Sequence, residues 1–260
     1  MEEFLNKRKS RLVAVSLLII LSVVVVFAGS RLYSQYREQV IRTEESQLLT
    51  MAGIVGNNLN SYMEQQLEEI DLFYSQEGMP ENVWAESGGI NARTAYFLKN
   101  NAGVYNWITV TEPDGTKFRY EPGKKTFQES ADGEVKAVDP QDGNHPAEIT
   151  GKEISDQTGW YELYIEKNVP VGSEVYMLTF AMDLGALYEK IVAPVKIGEA
   201  GYSSVKDQNM NIIMHHVKNQ IGLEAVEGRI ERYPYLDMSS LNAWIMRQEN
   251  EDSGTGVIDT

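Results

Sequence analysis

An uncharged apolar run near the N-terminus constrains this chain more than any other feature. Residues 12–29 read LVAVSLLIILSVVVVFAG, in which Ser16 and Ser22 carry the only polar side chains. As a helix, this run would extend about 27 Å, which matches the hydrocarbon thickness of a bilayer. A core helix of a soluble protein would show a polar face, and this segment has none. The run therefore predicts a transmembrane helix over residues 12–30.

Basic residues before this segment set its expected orientation. Residues 1–11 carry a net charge of +2, whereas the remainder of the chain carries −17. The positive-inside rule places such a basic tip in the cytoplasm. We therefore expect residues 1–11 to be a cytoplasmic tip and residues 31–260 to lie outside the cell membrane. A cleaved secretion signal is the alternative, because Val26 and Ala28 suit the positions before a cleavage site.

Charge and composition exclude several classes of function. The net charge of −15 argues against a basic surface for binding nucleic acid. The sequence has no cysteine, which removes thiol catalysis, cysteine zinc sites and iron–sulfur clusters. Because it also lacks a glycine-rich phosphate loop, an HExxH and a GxSxG motif, we expect neither catalysis nor a cofactor. His215 and His216 are neighbours on a predicted strand and would point to opposite faces, so no metal site is expected.

A long amphipathic helix is predicted to follow the membrane segment, over residues 31–75. Its seam repeats at spacings of three and four, and consists of Leu48, Ala52, Val55, Leu59, Tyr62, Gln66, Ile70 and Phe73. We expect the C-terminal half of this stalk helix to pack on its own domain. The N-terminal half is expected to pair with a second copy and form a homodimer, although the whole seam could instead pack on its own domain.

Strand-forming segments separated by turn residues predict an α+β fold beyond residue 76. Strands are predicted at 104–111, 116–120, 160–167 and 174–183, followed by a short helix at 184–192. A further strand pair is predicted at 201–206 and 211–215, then a helix near 238–247 and a strand at 255–258. Residues 121–150 are polar and rich in glycine, aspartate and proline, and we expect a long loop there, for instance a lid over a pocket.

Three segments of the sequence carry a resemblance to a known family. They are SQLLTMAGIVGNNLNSYMEQQLEEIDLF at 46–73, YIEKNVPVGSEVYMLTFAMDLGALYEKIV at 164–192 and KIGEAGYSSVKDQNMNIIMHHVKNQIGLE at 196–224. They resemble the double Cache sensor domains of bacterial membrane receptors, especially the histidine kinases and diguanylate cyclases of Firmicutes. The third segment is the most specific, because its Gly-Tyr, Lys-Asp, Met-His and Ile-Gly pairs fall at the spacing found in the family.

The resemblance implies two PAS-like modules with antiparallel sheets, a membrane-distal one at 76–192 and a membrane-proximal one at 193–260. It further implies a ligand pocket in the distal module, a second membrane span and a cytoplasmic output domain. A complete proximal module would need strands after Thr260, so we expect an N-terminal fragment. The implied function is sensing of a small extracellular solute for a histidine kinase or diguanylate cyclase. A chemotaxis receptor and a membrane-tethered solute-binding protein without signalling output are the alternatives.

Seven residues of the distal module are candidate ligand contacts: Tyr105, Trp107, Thr109, Trp160, Tyr161, Thr179 and Asp183. The first three alternate along one predicted strand and are expected to share a face, where aromatic groups with polar tips suit a small ligand as well as ordinary packing. Thr179 and Asp183 lie on the less bulky face of another strand. The opposite face, with Leu178 and Phe180, is expected to pack against the stalk helix.

Two of these candidates also follow from the resemblance. Some members of the family bind amino acids through an Arg-x-Trp-Tyr motif and an aspartate at the end of the last distal strand. Asp183 stands at the position of that aspartate, where it would receive an ammonium group. Trp160 and Tyr161 match only the Trp-Tyr pair, and the motif's arginine is absent. The alternative for Asp183 is a capping role at the helix that starts at Leu184.

Overall fold

The computed structural model describes residues 2–75, 89–124, 127–129, 145–196, 201–235 and 237–248. Side chains are described from residue 16 onward, except within 127–129. The predicted strand at 255–258 and the central part of the predicted lid loop lie outside these ranges. The chain divides into two compact units, Met1–Thr50 and Met51–Thr260, which are described separately.

Helix α1 runs over Glu2–Tyr74 and contains the apolar segment of the first unit. Within the described residues, one helix is long and apolar enough to cross a membrane, with a mean hydropathy of 2.1 in its most apolar window. Its large apolar side chains from Leu17 to Phe27 are all exposed, each by more than half of its surface. Such a surface is unfavourable in water and favourable in lipid. The predicted helix and its apolar character are therefore confirmed.

The second unit is built on a six-stranded antiparallel sheet with the strand order β3-β2-β1-β6-β5-β4. The strands are β1 (Tyr105–Thr111), β2 (Lys117–Tyr120), β3 (Phe127–Glu129), β4 (Glu148–Ile154), β5 (Tyr161–Val171) and β6 (Glu174–Asp183). Helix α2 (Gly89–Asn100) and the C-terminal half of α1 cover one face of this sheet. This is the predicted α+β architecture, with antiparallel strands and the helices segregated to one face.

The seam predicted for α1 packs as expected from Val55 onward, whereas Ala52, also in the second unit, is exposed. Gln66 and Ile70 are buried, and Tyr62 and Phe73 are partly buried against the sheet core, whereas Val55 is buried in the neighbouring cluster around Trp160 and Leu184. The neighbouring Asp71 also faces the sheet domain. Its Oδ1 atom lies 2.9 Å from Lys167 Nζ on β5 and accepts a hydrogen bond of 2.8 Å from the Ala147 N–H. The prediction that the C-terminal half of the helix packs on its own domain is confirmed.

Aromatic side chains fill the space between the sheet and the two helices. The Phe180 side chain is fully buried, and its ring centroid lies 5.6–5.9 Å from those of Tyr74, Phe97 and Tyr105. The Tyr105 hydroxyl donates to Gln66 Oε1 across 3.1 Å. Because β1 and β6 are the central strands, this aromatic cluster joins the middle of the sheet to both helices. The bulky face of β6 therefore packs as the sequence predicts.

The prediction of a loop throughout residues 121–150 is wrong at its ends. Strand β3 forms at Phe127–Glu129 and strand β4 at Glu148–Ile154. Each lies at an edge of the sheet. All seven residues of β4 are exposed or half-buried, so this strand lacks the alternation of apolar and polar residues from which half-buried strands are predicted.

A short helical segment follows the sheet and begins with a capped turn. Helix α3 (Leu184–Leu187) continues into a π-helical turn at Tyr188–Val192. Asp183 Oδ1 accepts a hydrogen bond of 2.8 Å from the Gly185 N–H and caps α3. The Trp160 ring lies directly on Gly185, where an added Cβ would come within 2.6 Å of Trp160 Cγ. Only glycine fits this contact, so the tryptophan fixes the position of the helix.

Within residues 201–235 and 237–248, the structure describes a hairpin and three short helices. Strands β7 (Val205–Lys206) and β8 (Ile212–Met214) pair antiparallel. A 3-10 turn at Lys218–Gln220, helix α4 (Glu227–Arg232) and helix α5 (Ser239–Gln248) follow. The predicted strand pair and C-terminal helix are confirmed with shorter or slightly shifted bounds, whereas α4 was not predicted.

The stability of the protein is expected to fall as the pH is lowered, because this region contains a buried histidine with a low pKa. His215 is 2% exposed, and burial, together with the nearby His216 and Arg229, lowers its pKa to about 4. A histidine of the unfolded chain titrates near pH 6.5, so the unfolded state binds more protons between those values. Stability is therefore retained above about pH 6.5 and lost progressively toward pH 4. We expect His215 to lower the free energy of unfolding by about 2 kcal/mol between pH 7.5 and pH 5.

Urea unfolding at the two pH values measures this loss. His145 is exposed, so His145→Gln serves as the matched control and should retain the full pH difference. His215→Gln should reduce it. An unchanged pH difference in His215→Gln would contradict the assignment.

Candidate ligand-binding face of the first sheet

The face of the first sheet opposite the helices collects polar and aromatic side chains, and we call it the outer face. Cross-strand pairing places Trp107 of β1 opposite Ala181 of β6, which in turn lies opposite Tyr164 of β5. Two residues further along β1, Thr109 lies opposite Thr179 of β6. Partners in an antiparallel pair share a face, so these five side chains lie together at the centre of the sheet.

A β-bulge at Asn106 separates Tyr105 from the outer face. Tyr105 pairs with Met182 and Trp107 pairs with Ala181, so one extra residue lies between them on β1. A bulge of this kind reverses the alternation of side chains along a strand. Tyr105 therefore points into the aromatic cluster, with 1% of its surface exposed. The prediction that Tyr105 shares a face with Trp107 is wrong for this reason.

Glu162 is the central polar residue of the outer face. It is 6% exposed, and its two carboxylate oxygens accept hydrogen bonds from Asn106 Nδ2 at 2.8 Å and Trp107 Nε1 at 3.1 Å. The bulge makes this possible, because it brings two consecutive residues of β1 to one carboxylate. Buried carboxylates usually have a cationic partner. None of the ion pairs found among the described residues includes Glu162.

The ring of Trp107 is held from two sides. The Arg119 guanidinium carbon lies 4.2 Å from the ring centroid, and the Tyr164 ring lies 5.6 Å away. Arg119 Nε lies 3.3 Å from Glu121 Oε1. The Tyr164 hydroxyl donates to Glu153 Oε2 across 3.1 Å, and burial together with this carboxylate raises the pKa of Tyr164 to about 12. The outer face is therefore an ordered surface with a negative group at Glu162 and a positive group at Arg119.

Threonine hydroxyls line the row beside Trp107. Thr109 is 6% exposed and Thr111 is 1% exposed. Thr111 Oγ1 is buried and has no hydrogen-bond partner within the described part of the chain. Leaving a buried hydroxyl unsatisfied costs about 1–3 kcal/mol. A polar group of a bound ligand would remove this cost.

The structure brings four of the seven predicted site residues to the outer face: Trp107, Thr109 and Thr179 at its centre, and Asp183, which lies opposite Glu162 on the neighbouring strand. Trp160 packs on Tyr188 with ring centroids 5.1 Å apart, and Tyr161 packs against the same apolar cluster. Asp183 caps α3 and lines a separate cavity of about 230 Å³. Sequence reasoning missed Glu162, Asn106 and Arg119. The alternation along β5 marks Glu162 as a residue of the outer face, but nothing in the sequence marks it as buried.

Several solved structures that are similar to this chain are sensor or ligand-binding domains. The domain of a protein assigned to the sensory box/GGDEF family of Vibrio parahaemolyticus matches with a TM-score of 0.56 at 14% identity, over 83% of this chain and 87% of its own. The extracellular domain of a protein assigned as the histidine kinase vpHK1S-Z8 matches with a TM-score of 0.54 at 16% identity, over 80% of this chain and 81% of its own.

A third structure is a chemoreceptor domain. The ligand-binding domain of the Pseudomonas aeruginosa PAO1 amino acid chemoreceptor PctC, in complex with GABA, matches with a TM-score of 0.50 at 15% identity, over 74% of this chain and 82% of its own. No protein-family model and no curated protein matches the sequence. The chain has the fold of the sensor and ligand-binding domains of bacterial receptors.

Proposed function

We propose that this chain is the extracytoplasmic sensor region of a transmembrane signalling receptor with a double Cache architecture. The apolar part of α1 would anchor it in the bacterial membrane with the N-terminus in the cytoplasm. The output would be that of a histidine kinase or a diguanylate cyclase. The fold shared with sensor domains of both receptor types and the exposed apolar segment of α1 support this proposal.

The observation that carries the proposal is the environment of Glu162. Its carboxylate is buried, oriented by Asn106 and Trp107, and uses two of about four acceptor positions. A site built in this way suits a ligand ammonium group, which would supply the missing positive charge. The ligand is therefore proposed to be a small amine or amino acid, with Thr109, Thr179 and Trp107 as further contacts.

Signalling would follow from the packing of the sheet on α1. Ligand contact on the outer face would shift β1 and β6, whose other faces carry Tyr105 and Phe180 of the aromatic cluster. A homodimer formed through α1 would then change between two packings, and the ligand would favour one of them. Reading the gene beyond the codon of Thr260 separates a kinase or cyclase from a chemotaxis receptor or a tethered binding protein.

Thermal unfolding of the full chain in lipid nanodiscs tests the proposed ligand class. Each amine or amino acid is compared with a counterpart that lacks the ammonium group, such as propylamine with propanol. Binding to the folded state raises the melting temperature, and the rise grows with the logarithm of the ligand concentration relative to the dissociation constant. We expect stabilisation by members of the amine series and none by their neutral counterparts.

Glu162→Gln is expected to weaken binding of the stabilising amine about 10- to 100-fold, because a hydrogen bond to a charged group is worth about 1.5–3 kcal/mol. Glu148→Gln is the matched control, since Glu148 is an exposed glutamate on the same sheet, and it should bind the amine as the wild type does. Calorimetric titration of both variants measures the dissociation constants. Equal affinities for the two variants would rule out Glu162 as the ammonium contact.

A further inference from the structure

A second cavity, of about 350 Å³, lies in the C-terminal part of the second unit, away from the outer face. Its lining consists of Tyr202, His215, His216, Val217, Gln220, Arg229, Tyr233 and Met238. Its volume falls within the range of small-molecule sites. None of these lining residues, which all belong to the described part of the chain, is acidic. The only formal charge in the lining is that of Arg229.

A chain of hydrogen bonds orients the polar groups of this second cavity. Arg229 Nε donates to Gln220 Oε1 across 3.2 Å, and Gln220 Nε2 donates to the Tyr233 hydroxyl across 2.7 Å. Arginine has only donors, so the Gln220 amide has one possible orientation. Since the Tyr233 hydroxyl accepts from Gln220, its own hydrogen can be donated to another acceptor. Arg229 forms no ion pair among the described residues.

His215 adds a further donor to the second cavity. Its side chain is 2% exposed. Nδ1 accepts a hydrogen bond of 3.0 Å from the Val217 N–H and also lies 3.3 Å from the Val217 carbonyl oxygen, and the shorter contact favours Nδ1 as the acceptor. A neutral imidazole that accepts at Nδ1 carries its proton on Nε2. The Nε2 atom is buried and has no hydrogen-bond partner within the described residues, and His215 is one of the residues that line the second cavity. Burying a polar group without a partner is costly, so this atom indicates a missing acceptor.

We propose that the second cavity binds a small organic carboxylate. Three donors belong to residues that line this space: the Arg229 guanidinium and the Tyr233 hydroxyl, on helix α4 and at its C-terminal end, and the His215 Nε2–H, directly after strand β8. The positive charge and the lack of acidic lining residues disfavour a cation and favour an anion. Around the donors, the rings of Tyr202 and His216 and the side chains of Val217 and Met238 provide flat and apolar walls. These walls select an organic anion over inorganic phosphate.

Calorimetric titration of the full chain in nanodiscs tests this site with acetate, butyrate and benzoate as probes. Benzamide, which has the shape of benzoate without its charge, is the control ligand. We expect benzoate to bind with a stoichiometry of one per chain and benzamide to bind at least about tenfold more weakly. Arg229→Gln should weaken benzoate binding at least about tenfold, and Arg229→Lys should weaken it less, because it retains the charge.

Further variants separate this site from the proposed amine site and from misfolding. Glu162→Gln changes only the outer face and should bind benzoate like the wild type. Arg229 is half-buried on a short helix, and near-ultraviolet circular dichroism of Arg229→Gln should match the wild-type spectrum. The proposal is overturned if none of the three carboxylates binds, if benzamide binds as tightly as benzoate, or if folded Arg229→Gln retains wild-type affinity. Stabilisation by Zn²⁺ but by no carboxylate would instead assign the histidine pair to a metal.

Discussion

Replacing Phe180 with alanine is expected to lower the free energy of unfolding by about 4 kcal/mol. The Phe180 ring is fully buried and contacts the rings of Tyr74, Phe97 and Tyr105, which belong to α1, α2 and β1. Truncation removes the transfer free energy of a phenyl ring and leaves a cavity that these rigid neighbours cannot close. Urea unfolding monitored by circular dichroism measures the change.

Tyr235→Ala is the control for the loss of an aromatic ring, because Tyr235 is 78% exposed. This surface variant should change the free energy of unfolding by less than about 0.5 kcal/mol. Phe180→Leu should lie between the two, since leucine fills part of the space. If Phe180→Ala were as stable as Tyr235→Ala, the aromatic cluster would not hold the sheet against the helices.

Removing the charge of Asp71 is expected to cost about 3 kcal/mol of stability, because it leaves the buried Lys167 ammonium without this carboxylate. The Lys167 side chain is 4% exposed, and its Nζ atom lies 2.9 Å from Asp71 Oδ1 and 2.6 Å from the His145 carbonyl oxygen. Asp71→Asn is nearly isosteric, so the loss reports on charge rather than on packing. Urea unfolding at neutral pH measures it.

A double-mutant cycle decides whether the pair acts as a unit. In Asp71→Asn combined with Lys167→Met, both charges are absent and an apolar chain fills the buried space. We expect this double variant to be more stable than the sum of the two single effects predicts, because the buried charge of Lys167 is removed together with the carboxylate that pairs with it. Additive effects would show that Asp71 and Lys167 do not interact energetically.

The elements with a strong local pattern were predictable from the sequence. The seam of α1 was correct for Val55, Gln66 and Ile70, because burial at spacings of three and four is the signature of a helix packed on one side. Strand β6 was predicted with its observed bounds, Glu174–Asp183, and with the correct face toward the core. In both elements the core-facing side is set by the spacing of apolar residues, so the local sequence is enough to predict which side is buried.

The candidate site was less predictable because it depends on contacts between distant segments. Glu162 appears in the sequence as an ordinary polar residue of a half-exposed strand, and only its bonds to Asn106 and Trp107 reveal its burial. The bulge at Asn106 has no local signal, since asparagine is common at many kinds of irregular position. Trp160 and Tyr161 were assigned to the site from a motif, whereas the structure uses both for packing around the short helix after β6.

The extra residue at Asn106 also determines how this strand must be aligned with those of other domains that share the fold. A receptor without that insertion keeps strict alternation, so the residue two positions before its tryptophan lies beside the tryptophan rather than behind it. An alignment without a gap at this point therefore places a residue of the outer face in one protein in the same column as a buried core residue, Tyr105, in the other. Surveys that infer ligand preference from such columns would count Tyr105 as a specificity determinant, although its hydroxyl contacts Gln66 of α1.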